Sequence, residues 1–75
     1  MLTYVDPVVG NRLRQLRRLQ GRPLYGLAVK ASVSPTIVSM IERFDYLPGR
    51  AIRTRLAQAL GVQLQDIWPD EEQRA

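Results

Sequence analysis

The sequence contains no cysteine and no histidine. The first absence excludes disulfides, zinc–thiolate centres and thiol nucleophiles, and the second removes the usual general base and the commonest metal ligand. A hydroxyl nucleophile at Ser32, Ser34 or Ser39 would have only Lys30 or an acid as its base, at no spacing that suggests a site. A glycine-rich phosphate loop and a metal-ligand cluster are also missing, so neither catalysis, a metal nor a cofactor is expected. No apolar run approaches the roughly 18 residues of a membrane span, and Met1-Leu2-Thr3-Tyr4 lacks the basic start of a signal peptide; a cytoplasmic protein without a membrane is expected. Bulk is scarce too. The 75 residues allow one small domain, whose core supplies only a few kcal/mol of net stability, so dimerisation is a reasonable source of more.

Positive charge, by contrast, is plentiful and unevenly placed. Between Gly10 and Arg55 ten Arg/Lys stand against Glu42 and Asp45, a net +8, while the first nine residues carry −1 and the last twenty −3, which returns the chain's +4. A basic body with acidic flanks, at a sequence pI of about 10.4, favours a polyanionic partner.

The apolar spacing predicts five short helices in one unit. Residues 1–6 form a candidate arm or a frayed terminus, 7–68 the helical core and 69–75 a polar tail. Helix 1 is expected from about Pro7 to Gln20, with Val9, Leu13, Leu16 and Gln20 in line, Leu19 beside them, and Arg12, Arg14, Arg17 and Arg18 on the other face; Gly21 is its stop. Helix 2 is expected over Leu24 to Ala31, since Leu24, Leu27, Ala28 and Ala31 repeat at i, i+3, i+4, i+7. Gly26 weakens it by roughly 1 kcal/mol relative to alanine, either for close approach of a helix or DNA or by simple tolerance. Helix 3 is expected over Pro35 to Arg43, with Ser34 as N-cap, Pro35 in the first helical position, and Val38 and Ile41 buried. Pro48-Gly49 punctuates the next loop. Helix 4 follows from Arg50 or Ala51 to Leu60 with Ile52, Leu56, Ala59 and Leu60 inward, and a last turn from Leu64 to Trp68 stops at Pro69. Two short helices joined by a tight turn at Ala31-Ser32-Val33-Ser34 form a helix-turn-helix, whose second helix fits a DNA major groove.

From about Val9 to Trp68 the sequence resembles the Cro/repressor, or lambda-repressor-like (XRE-type), helix-turn-helix family. The matching residues are Arg17, Gly21, Leu27-Ala28, Val33-Ser34, Val38, Ile41-Glu42, Pro48 and the run Leu56-Ala57-Gln58-Ala59-Leu60-Gly61-Val62, with no gap from Leu27 to Gly61. The resemblance implies an all-α, compact five-helix domain that binds double-stranded DNA and regulates transcription, most simply as a homodimeric repressor on a pseudo-palindromic operator. Six positions depart from the pattern. Leu24 stands where a phosphate-gripping Gln is usual, Ser32 where the turn has glycine, and Phe44 where glycine follows helix 3; Phe44 is expected to pack under the loop. Arg22, Arg50 and Arg53 replace apolar residues and must reach water, acid or phosphate.

Carried onto this chain, the resemblance gives Pro35, Thr36, Ile37, Ser39 and Met40 to base edges, with Arg43 a guanine or phosphate reader. Backbone grip falls to Arg12, Arg14, Tyr25, Lys30, Ser34, Tyr46, Arg50 and Arg53, Tyr25 having the alternative of capping the core edge. Family resemblance pairs Glu42 with Arg17 as a structural ion pair. It also places the dimer contact at Leu64, Ile67 and Trp68, with the Met1 to Val5 arm second. The rival readings are an antitoxin or other protein-binding module on the same fold, a detached domain of a longer regulator, and a restriction-modification controller protein.

Overall fold

The computed structural model describes residues 11–69. The candidate arm, Val9, the first turns expected of helix 1 and the tail beyond Pro69 lie outside these residues. Five helices follow one another: α1 Leu13–Leu19, α2 Leu24–Ala31, α3 Pro35–Phe44, α4 Arg50–Leu60 and α5 Leu64–Ile67.

Helix α1 starts later than its apolar spacing suggests, because Asn11 intervenes. Its Oδ1 accepts the Leu13 N–H at 3.0 Å, and Arg12, the N-cap, has non-helical dihedrals; an Asx-type turn at residues 11–13 leads into the helix. The same Asn11 amide donates to the Ile41 carbonyl and to Asp45 Oδ1, both at 3.0 Å, fastening the start of α1 to the end of α3. Nothing in the local sequence signals that long-range contact.

Helices α1, α2 and α4 each end in the same reciprocal pair of backbone bonds around a left-handed residue. After α2, Ser32 lies at φ 57°, ψ 44°, its N–H bonding the Val29 carbonyl at 3.1 Å and the Val33 N–H bonding that of Ala28 at 2.9 Å. Gly21 and Gly61 do the same for α1 and α4 without a steric cost. Ser32 therefore occupies a glycine conformation. Asp45 is left-handed after α3, which moves the helix stop one residue past Phe44.

The core is shared by all five helices: Leu13, Leu27, Ala28, Ala31, Val38, Ile41, Leu56, Ala57, Ala59, Leu60, Ile67 and Trp68 are buried in one cluster, joined by Val33 from the turn. Beside the line through Leu13 and Leu16, Leu19 is 79% exposed, while Gln20 Nε2 donates to the Leu60 carbonyl at 2.8 Å. The dimer contact expected at Leu64, Ile67 and Trp68 is corrected. Ile67 and Trp68 are 0% and 1% exposed, so they close the bottom of the core and offer no surface to a second copy; Leu64 is half-buried against the same cluster. In a domain this small a residue of tryptophan's size is needed inside, where it removes the most apolar surface from water.

Candidate nucleic-acid interface

Between α2 and α3 the chain bends by 120° over the three residues Ser32, Val33 and Ser34. Val33 is buried while its two neighbours are exposed, so the turn is pinned by one apolar contact and two caps. Ser34 Oγ accepts the Thr36 N–H at 3.1 Å and Pro35 occupies the first helical position, which fixes where α3 begins. Val38 and Ile41 anchor one side of α3 in the core, leaving Thr36 and Arg43 exposed and Pro35, Ile37, Ser39 and Met40 half-buried. Ile37 packs partly against the core, so only part of it is available outward.

The support behind α3 is electrostatic as well as apolar. Glu42 is the neighbour of Ile41, and its side chain is only 1% exposed. Arg17 meets it with two parallel bonds, Nε to Oε2 at 2.7 Å and Nη2 to Oε1 at 3.0 Å, while Nη1 donates to the Arg22 carbonyl at 2.9 Å. This fork locks α1, the α1–α2 turn and α3 into one arrangement. The hydrogen bond to Glu42 raises the Arg17 pKa above its ordinary value, against the lowering effect of burial and with the charge of Glu42 adding to the rise. Arg14 Nε approaches the same carboxylate at 3.4 Å from a position still half open to water.

The other cations sort by burial. Arg12, Lys30 and Arg50 are exposed, as are Ser34, Tyr25 and Tyr46. Arg22 turns back to Gln20 Oε1 at 3.0 Å. Arg53 does not belong with the phosphate-facing group: it is 9% exposed and its Nη1 donates to the Pro48 carbonyl at 2.7 Å inside the fold. It lies at i relative to the buried Leu56, Ala57 and Leu60 at i+3, i+4 and i+7, a signal its charge conceals. Phe44 is corrected as well. With the left-handed turn delayed to Asp45, its ring is carried outward and is 73% exposed instead of packing under the loop. Gly26 is explained by the proline before it: a Cβ there would stand 3.1 Å from Pro23 Cγ, so the ring of Pro23 lies over the first turn of α2.

A capped, three-residue turn presenting the outer face of its second helix from a cationic three-dimensional support is a helix-turn-helix domain. No family model matches the sequence. A protein of Bacillus subtilis (strain 168), the uncharacterized HTH-type transcriptional regulator YazB, is 33% identical over 63 residues, 84% of this chain and 91% of that protein. Among solved structures, the restriction-modification controller protein C.AhdI from Aeromonas hydrophila superimposes with a TM-score of 0.69 at 27% identity, over 73% of this chain and 83% of that one. The chain belongs to the Cro/repressor, XRE-type helix-turn-helix family of DNA-binding transcriptional regulators.

Proposed function

We propose that the protein acts as a cytoplasmic homodimeric repressor, without catalytic activity, that covers a promoter by placing two copies of α3 in successive major grooves of a pseudo-palindromic operator, about 34 Å apart. The observation that carries this reading is the outward face of α3, where Thr36 and Arg43 are exposed and Ser39 and Met40 half-buried, on a domain that also exposes Arg12, Arg14, Lys30 and Arg50. On this reading Pro35, Thr36, Ile37, Ser39, Met40 and Arg43 meet bases, and Arg12, Arg14, Tyr25, Lys30, Ser34, Tyr46 and Arg50 meet the backbone. A second copy has to dock away from Ile67 and Trp68, since both belong to the core.

The likeness to C.AhdI supports a narrower version, in which the protein is a restriction-modification controller. Titration of random duplex DNA at two salt concentrations tests the common part. Each phosphate neutralised contributes about −0.9 to the slope of log K against log salt, so affinity should fall steeply as salt rises. No salt-sensitive binding even at low salt would overturn the DNA reading in favour of a protein-binding module such as an antitoxin. Selection from random duplexes then gives half-site sequence and spacing, and sedimentation with and without the selected duplex gives the number of copies bound.

A further inference from the structure

Thr36, Met40 and Phe44 fall at i, i+4 and i+8 of α3 and so form one line along its outer surface. Thr36 is exposed, Met40 half-buried and Phe44 is 73% exposed. A methyl, a thioether and a phenyl ring therefore succeed one another over about 12 Å at 1.5 Å per residue. Hydrogen-bonding capacity beside this line is small. Helix α3 contains neither Asn nor Gln, Glu42 is turned inward and held by Arg17, and Ser34 Oγ already accepts the Thr36 N–H. What remains is the hydroxyls of Thr36 and Ser39 and, at the far end, Arg43.

Resting on the DNA-binding reading above, we propose that this stripe recognises the C5-methyl groups of pyrimidines in the major groove, so that each half-site contains a run of thymines spanning about three to four base pairs, at 3.4 Å per base along a strand. Threonine methyl and phenylalanine side chains are both suited to contact with the thymine methyl. Duplex DNA is favoured as the occupant by charge: Arg43 adjoins Phe44 on the same helix, and residues 10–55 carry a net +8. It follows that the protein distinguishes methylated from unmethylated pyrimidine at these positions, 5-methylcytosine replacing thymine better than cytosine does.

The full chain is assayed with a duplex selected from a random pool and with versions in which thymines of the half-site are replaced singly by deoxyuridine, 5-methylcytosine or cytosine, the opposite base being matched. Removing one buried methyl is expected to weaken binding about fourfold, both from thymine to deoxyuridine and from 5-methylcytosine to cytosine. Phe44→Ala, at an exposed position that leaves the fold intact, and Met40→Ala are each expected to abolish that factor at a different base. Equal affinity for thymine and deoxyuridine duplexes at every position, or a factor that survives both substitutions, overturns the stripe's role while leaving DNA binding in place. Failure to bind any duplex at low salt overturns both and assigns the apolar line to a protein partner.

Discussion

Replacing Arg17 by methionine isolates the best-defined interaction in the protein. The Glu42 carboxylate is only 1% exposed and the Arg17 side chain 12%, so this pair is not of the solvent-screened surface kind, whose members contribute about 0–1 kcal/mol. Removing the guanidinium strands a buried charge, for which the characteristic cost is about 3–5 kcal/mol. Arg14, 3.4 Å from the carboxylate, supplies partial compensation and sets the expectation at the lower end, about 3 kcal/mol. A chain of 75 residues has a total stability of about 4–11 kcal/mol. At about 4–8 °C per kcal/mol for a domain this size, Arg17→Met should lower Tm by at least about 12 °C in far-ultraviolet circular dichroism. The double variant R17M/E42L should recover most of that loss, because no buried charge is then left and Arg14, half open to water, is hydrated instead, giving a coupling of about 1.5 kcal/mol or more in the cycle. A Tm within about 2 °C of wild type for R17M, or simple additivity of the two losses, would refute the reasoning. Because Glu42 raises the Arg17 pKa, the guanidinium's contribution is complete below its ordinary pKa and is lost only as pH rises through the raised one. The Tm deficit of R17M should accordingly stay constant from neutral pH to about pH 10.

Three further outcomes are expected. Ser32→Gly relieves a left-handed serine, whose cost of about 1–2 kcal/mol exceeds glycine's extra unfolded-state entropy of about 0.4–1 kcal/mol, so Tm should rise by a few degrees; a fall would show that the hydroxyl has a structural role. The single tryptophan is Trp68, 1% exposed, so its fluorescence should resist iodide quenching at every protein concentration, whereas quenching that increases on dilution would place it at an interface. Lys30→Ala should reduce the salt slope of DNA binding by about 0.9, while Arg53→Met should lower Tm and leave the slope unchanged; a changed slope for Arg53→Met would return that arginine to the phosphate surface.

The α2–α3 unit was the most legible part of the chain. Leu24, Leu27, Ala28 and Ala31 give the bounds of α2 outright, and Ser34-Pro35 marks the start of α3 because cap and first-turn chemistry are local. Helix α1 was less readable, since the competing turn at Asn11 depends on the side chain's own backbone bond together with partners thirty and more residues away. Phe44 and Arg53 were misplaced for opposite reasons. Hydrophobicity suggested an inward phenyl ring where the backbone geometry carries it outward, and charge suggested an outward guanidinium where helical spacing and a carbonyl partner hold it in. Trp68 is placed at the dimer contact by family resemblance alone, and the extent of the enclosed core, which only the structure gives, puts it inside. For the candidate site, the choice of helix was readable from pattern, but which of its residues remain accessible depended on how far α3 runs before Asp45 reverses it.

One backbone bond has a practical consequence for working with the protein. The Arg12 N–H donates to the Ile67 carbonyl at 2.7 Å, so the segments leading into α1 and out of α5 meet. A polypeptide fused before residue 11 and one fused after residue 69 would depart from neighbouring positions, and the intervening domain could be spliced into a loop of a host protein whose flanking residues lie close together. Domains with adjacent entry and exit points tolerate such insertion and circular permutation. The 2.7 Å clasp thus makes this DNA-binding unit a portable cassette, attachable by both ends at once.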